Sequence, residues 1–252
     1  MIEQNPQGQP DHSWDETIRT LIFAILIAVV FRSFAFEPFH IPSGSMKKNL
    51  LIGDYLFVSK YSYGYSRYSF PLGLPLFKGR ILDGDLPKRG EVAVFREPSN
   101  PRVDYIKRII GMPGDKLQVI DGILHINGTA LPRTQMDSYS EEDPLNKGRL
   151  VARYAETLPE GKVVEILKET NEGFTNNTSL YIVPEGHYFM MGDNRDNSHD
   201  SRYLNDIGYV PLENLVGRAE IIFFSTDGTA SWSNPISWFT ALRTERFFKL
   251  ID

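Results

Sequence analysis

The sequence predicts a mostly β domain carried behind one apolar N-terminal helix, with a small, more polar insertion part-way along the domain. Three observations predict it. A single long apolar stretch lies between Thr17 and Phe36. From Glu37 onward, short alternating segments are punctuated by Gly and Pro, the pattern of strands and tight turns. Between about Asn127 and Thr178 the composition turns more polar and charged, which marks residues 127–178 as an inserted subdomain within a β body at 37–126 and 179–228.

Bulk properties narrow the function classes. A chain of 252 residues holds a short anchor plus one large or two small domains. With 41% hydrophobic and 23% charged residues it is neither a largely disordered chain nor a multi-span transporter. A net charge of −5 disfavours a nucleic-acid partner. The absence of cysteine excludes disulfides, thiolate metal sites and a cysteine nucleophile.

Residues 1–16 are polar and read as a disordered tail. The apolar core Leu21–Phe31 is short for a membrane span, which needs roughly 20 residues, but 17–36 is long enough. Arg19 and Arg32 then lie near its two ends, where long basic side chains reach the headgroups. A cleaved signal peptide wants small residues after the apolar core, and bulky Phe34 and Phe36 stand there instead. A buried core helix remains an alternative, and an uncleaved signal anchor is the preferred reading. Charge does not orient it, with one Arg at each end and Asp11, Asp15 and Glu16 before it.

Strand patterns follow at Gly53–Ser59, Glu91–Arg96 and Asp104–Ile110. Gln118–Ile120 and Ile123–Ile126 flank Asp121-Gly122, the signature of a tight hairpin. Further strand-like segments lie at 150–154, 162–167, 180–183 and 188–191. The segment 229–252 carries Trp232, Trp238, Phe239, Phe247 and Phe248. It reads either as an amphipathic segment at a membrane interface or as a terminal helix packed on the body.

The chemistry centres on serine. Pro42-Ser-Gly-Ser-Met46 places a glycine between two hydroxyls just past the anchor, where the backbone can turn tightly. A serine nucleophile needs a base. None of the five histidines has an informative setting, no G-x-S-x-G elbow surrounds Ser45, and a triad through His199 stays open without support. Lysine is the other option. Lys107 lies in the apolar strand segment Asp104–Ile110, and on a strand it shares a face with Tyr105 and Ile109. Keeping an ordinary lysine neutral at pH 7 costs about 4.6 kcal/mol, so such a base belongs where burial depresses its pKa. A surface lysine with its stem on the strand is the plainer alternative. The polar run Gly192–Arg202 is either a solvated turn or part of a site. Within it Ser198 has the chemistry to orient a neutral lysine, and Asp200 and Arg202 to form a supporting pair. It is a poor calcium loop, because Arg195 stands where an oxygen ligand is wanted.

Taken in order, these segments resemble the bacterial type I signal peptidases. Pro42–Met46 resembles the nucleophile box and Gly53–Lys60 the strand after it. Arg89–Phe95 and Asp104–Asp115 resemble the lysine box, and Gly192–Arg202, with Gly208–Pro211 and Val216–Arg218, the last box. The match runs from about Arg32 to Arg218, poorly over 127–178. It implies a signal-peptidase-like β fold on the outer, periplasmic face of the cytoplasmic (inner) membrane, held by a single span. It also implies Ser45 as nucleophile, Lys107 as base, Ser43 in the oxyanion hole beside the Ser45 amide, and Ser198 orienting Lys107. Asp200 and Arg202 would shape the site, Tyr105 and Ile106 flank the base, and Asp193 and Arg195 be structural. Preproteins carrying signal peptides and membrane lipid are the implied partners, with no metal, cofactor or nucleic acid. Lys47-Lys48-Asn49 departs from the family, where Pro-Thr is common, and many members have two spans.

Rival readings remain. Ser45-Met-Lys-Lys48 also fits S-x-x-K of penicillin-interacting acyl-transfer enzymes, but the companion S-D-N and K-T-G motifs are missing. A membrane-tethered, non-catalytic peptide-binding β domain is the second. A self-cleaving Ser/Lys repressor protease is the third, disfavoured by the anchor.

Overall fold

A computed structural model describes residues 14–70, 79–82, 84–141, 148–230, 234 and 236–252. Helix α1 (Trp14–Phe34) has 21 residues. At 1.5 Å per residue it measures about 31 Å, close to the roughly 30 Å of a bilayer's hydrocarbon core. Its Leu, Ile, Val and Phe side chains are exposed around the whole circumference, as suits a helix solvated by lipid. Among the described residues it is the one helix long and apolar enough to cross a membrane. The expected span reached Phe36, but the helix stops at Phe34. The Ala35 amide closes on Phe31 O (2.8 Å) and the Tyr65 hydroxyl donates to Phe34 O (2.6 Å). Phe36 already pairs with Ser59 where β1 (Phe36–His40) meets β2 (Asp54–Ser59).

Two short strands, β3 (Tyr65–Ser66) and β4 (Arg80–Ile81), pair with each other. Then come β5 (Val92–Arg96) and β6 (Asp104–Gly111). The hairpin of β7 (Lys116–Ile120) and β8 (Ile123–Ile126) turns on Asp121 (φ 49°) and Gly122 (φ 71°). Both φ values are positive, as the two-residue hairpin turn requires. Next are β9 (Thr129–Ala130), β10 (Arg133–Ser140), β11 (Leu150–Thr157), β12 (Val163–Lys168) and β13 (Tyr181–Ile182). The chain continues through β14 (His187–Met191), β15 (Val210–Pro211), the long β16 (Leu215–Ser225), the short helix α2 (Ile236–Thr240) and β17 (Lys249–Leu250).

The main sheet has eight strands, in the order β1-β2-β16-β5-β6-β14-β15 with β17 beside β16. Three strands, β10-β11-β12, form a second sheet, and β13-β7-β8-β9 a third. Apolar side chains cover both faces of β5. Val92 and Val94 join Met46, Leu50, Leu56 and Val216 on one side, while Ala93 and Phe95 join Ile109, Met190 and Leu215 on the other. Residues from 127–178 share a further cluster with the main body: Leu131, Leu158, Val164 and Ile166 pack with Ile110, Leu117 and Phe189.

The described end of the chain folds back on the body. Phe247 packs against Phe224 (ring centroids 5.5 Å apart), and Arg246 makes two hydrogen bonds to fully buried Asp54 (2.9 and 2.6 Å). Phe239 and Phe248 stay exposed. The tail residues 1–13 and Trp232 lie outside the described residues.

Gly217 on β16 crosses β2 so closely that a Cβ there would run into the Ser59 carbonyl oxygen. Gly217→Ala is expected to destabilise the protein by about 1–3 kcal/mol. Thermal unfolding of the detergent-solubilised protein should show a lowered midpoint.

Candidate active site

The chain leaves β1 through buried Ile41 and turns at Ser43-Gly44-Ser45. The Lys47 amide closes the turn on Gly44 O (3.1 Å) and the Leu50 amide bonds Met46 O (2.9 Å). Met46 and Leu50 have no exposed surface, so the loop is pinned into the core directly after its second serine. From the other side, the run after β14 is laid against it. The Asn194 amide donates to Ser45 O (3.0 Å), and Asn194 Nδ2 donates to Gly44 O (3.2 Å). Gly192 is needed for this approach: a Cβ there would lie 2.6 Å from Ser45 O and would collide with the Ser198 side chain.

Strand β6 brings up the lysine. Lys107 Nζ lies 2.6 Å from Ser45 Oγ and donates to Ile106 O (2.9 Å). The face of Tyr105 is 5.4 Å away, and that ring stacks on Phe95. Lys107 is only 3% exposed. Burial pulls its pKa from the ordinary lysine value down to about 8; Asp200 and Asp193 oppose this, and Arg202 assists it. The cost of holding the amine neutral at pH 7 thereby falls from about 5 to about 1 kcal/mol. Ser43 Oγ lies 3.4 Å from Ser45 Oγ, on the same turn.

Each carboxylate of the run 192–202 meets a cation, while Asn197 and His199 stay exposed. Asp193 receives two hydrogen bonds from Arg108 (2.8 and 2.7 Å) and one from Asn49 Nδ2 (2.6 Å). Asp196 pairs with Lys168 (3.0 Å). Asp200 has no exposed surface and holds Arg202 through both carboxylate oxygens (2.8 Å each). Arg202, with the Gly192 amide and the Ser198 hydroxyl, holds the Asp200 carboxyl below the usual carboxylate range against the opposing effect of burial. Arg195 turns to β11, where it pairs with buried Glu156.

Ser45, Lys107, Ser43 and Tyr105 therefore meet at one point, with Asp193, Asp200, Arg202 and Arg195 in the buried layer behind or beside it. Ser198 is adjacent, but its hydroxyl donates to Asp200 Oδ2 (2.7 Å) and not to Lys107. The two rival bases turn elsewhere. Lys48 Nζ lies 3.4 Å from Glu165, and His199 Nε2 lies 3.3 Å from Asp206. Sequence reasoning missed Asn194, Asn49, Glu156 and Arg108. Arg108 did leave a signal, since an arginine on the strand face shared with Ile106 and Ile110 needs a buried carboxylate partner.

Fold and site together describe a class: a β protein anchored by one helix, carrying a serine hydroxyl against a desolvated lysine amine. Residues 14–224 match the family model described as signal peptidase, peptidase S26, and the chain belongs to that family. It is 43% identical to signal peptidase I of Rickettsia typhi, with 90% of each chain covered. The signal peptidase I of Rickettsia canadensis is 42% identical, with 92% of this chain and 91% of the relative covered. That of Rickettsia conorii is also 42% identical, with 99% and 97% covered.

The depressed pKa carries a stability signature. Between about pH 8 and the ordinary lysine range the unfolded chain binds the proton and the folded chain does not, so stability rises with pH across that window. The rise from this group is about 3 kcal/mol. Lys107→Met should abolish it, so the stability difference between wild type and variant should change with pH by that amount. Urea unfolding at pH 7, 8, 9 and 10 measures this.

Proposed function

We propose that Ser45 and Lys107 are the catalytic pair of a membrane-bound serine peptidase that removes signal peptides from preproteins. The observation that carries this reading is the 2.6 Å approach of Lys107 Nζ to Ser45 Oγ with the lysine buried. Neutral Lys107 takes the Ser45 hydroxyl proton as the oxygen attacks the scissile carbonyl carbon. The carbonyl π pair moves to oxygen, giving a tetrahedral oxyanion. Ser43 Oγ and the Ser45 amide stabilise it; one such donor is worth about 3–4 kcal/mol. The intermediate collapses, the C–N bond breaks, and the Lys107 ammonium protonates the departing amine. Water, deprotonated by the same amine, then attacks the acyl carbon and releases Ser45.

The remaining residues work at one remove. Asp200 and Arg202 fix the end of the 192–202 run, and Ser198 acts on Lys107 through the Asp200 carboxylate that it hydrogen-bonds. Tyr105 and Ile106 wall the amine from water, while Asp193 and Arg195 hold the run to β6 and β11. The anchor α1 crosses the cytoplasmic membrane once, with the β body on its outer face, where emerging preproteins present their cleavage sites. Support for the single crossing is the one apolar helix among the described residues, joined directly to β1; the outer face is what membership of the family implies.

Cleavage of a purified preprotein in detergent tests the assignment. Ser45→Ala and Lys107→Ala are expected to be folded and inactive, Lys48→Ala to cut within about twofold of wild type, and Ser43→Ala to lose about 10²–10³ in kcat. An active Lys107→Ala alongside a dead Lys48→Ala would overturn the choice of base. The pH profile is a separate check. Because the base works only when deprotonated, kcat/KM should rise with pH up to about 8 and level off above it.

A further inference from the structure

Two residues beyond the nucleophile, Lys47 sits where a surface loop would normally expose a lysine. Its side chain is only 8% exposed, and its ammonium meets Glu141 Oε2 at 2.6 Å, with Glu141 equally buried at 6%. The partners are 94 positions apart in sequence. Glu141 directly follows β10 and is held by its own backbone, which accepts from the Gly148 amide (3.0 Å) and donates to Arg149 O (2.9 Å). The lysine stem lies across Gly44: a Cβ built on Gly44 would come within 2.9 Å of Lys47 Cε and 3.2 Å of Cδ. The stem therefore occupies the space over the one residue separating Ser43 from Ser45, and Glu141 holds it there.

We infer that Lys47 and Glu141 form a positioning pair, clamping the Ser43-Gly44-Ser45 turn so that the Ser43 hydroxyl and the Ser45 amide converge on the oxyanion. A buried ion pair is geometrically demanding, because its two charges are tolerated in low dielectric only where they meet. The clamp acts on the peptide units that carry the oxyanion donors, and a misplacement of about 1 Å in such a constellation costs on the order of 10²-fold in rate. Asn194 already holds the turn through Gly44 O and Ser45 O, so the lysine adds a second hold on the same peptide units. Interactions that orient the oxyanion donors are felt in the transition state far more than in substrate binding, so their loss falls on kcat and spares KM.

This inference rests on Ser45 being the nucleophile, and the experiment separates the two. In the full-length detergent-solubilised protein, kcat and KM on one preprotein are measured for wild type, Ser45→Ala, Glu141→Gln, Lys47→Met and the Lys47→Met/Glu141→Gln double variant. Thermal unfolding is followed alongside. Lys47→Met keeps the stem and removes the charge, while the double variant removes both charges together. The expected result is a kcat loss of at least tenfold in each single variant with KM within about twofold. The double variant should be no worse than the worse single. A wild-type kcat in Glu141→Gln, or a loss appearing in KM alone, overturns the clamp even if the unfolding midpoint falls. If Ser45→Ala still cuts, the nucleophile assignment fails, and the clamp fails with it. If a single variant does not fold, the charge-free double variant decides: a kcat more than tenfold below wild type with KM unchanged supports the clamp, and wild-type kcat overturns it.

Discussion

The burial of one amine organises this molecule. Lys107 pairs with Ala93 on β5 and lies beneath a serine loop pinned by Met46 and Leu50. Taking that amine out of water costs the folded state about 3 kcal/mol at neutral pH, a sizeable share of a typical domain's net stability. The surroundings have to supply that stability without restoring the charge. Carboxylates near the lysine would push its pKa back up, and Asp193 and Asp200 do oppose the depression. Each is held by an arginine, Arg108 and Arg202 respectively, so much of its field is spent on a permanent cation.

The same pairs join the sheets. Arg108–Asp193 ties β6 to the run after β14, Arg195–Glu156 ties that run to β11, and Lys168–Asp196 ties it to β12. Arg246–Asp54 does the same for the end of the chain and the start of β2. Buried pairs of this kind contribute little net stability compared with apolar packing, but breaking one costs about 3–5 kcal/mol. Their effect is discrimination: a loop displaced by one residue would strand several charges together. The site is thus held by interactions that tolerate one arrangement, while the apolar clusters on the two faces of β5 supply the bulk of the favourable free energy.

Much of this was readable from sequence where the signal is local. The apolar helix, the alternating strands β2, β5 and β6, and the Asp-Gly hairpin all announce themselves within about ten residues. The serine and lysine segments stood out only together, through their resemblance to the family's ordered boxes, since a Ser-Gly-Ser turn or a strand lysine alone is commonplace. The long strand β16 was not legible. Gly217 interrupts its pattern, and its pairing with β2 shifts register between Ala219 and Ile221 and again between Ile222 and Phe224, so no clean period of two survives. Strand β10 was hidden likewise, because most of its residues face solvent and the register shifts between Met136 and Tyr139. The expectation that Ser198 bonds the lysine directly differs from what is seen, since Asp200, two residues on, offers its hydroxyl a charged acceptor. Glu141, Glu156 and Asn49 could not be picked out, because their partners lie across the fold and nothing in their own neighbourhoods distinguishes them from surface residues.

The junction between the helix and the β body has a mechanical consequence. Arg32 in the last helical turn pairs with Glu37 in β1, Glu37 also meets buried Lys60 at 2.8 Å, and the Lys60 amide bonds Ala35 O at 3.0 Å. No slack remains between anchor and body. The five residues of β1 extend about 17 Å, and Ser45 lies just beyond the turn that follows. Two ion pairs and a backbone hydrogen bond thus join helix to body at this junction. The serine turn follows directly on β1, so swinging the helix relative to the β body would have to break the Arg32–Glu37 and Glu37–Lys60 pairs on the way.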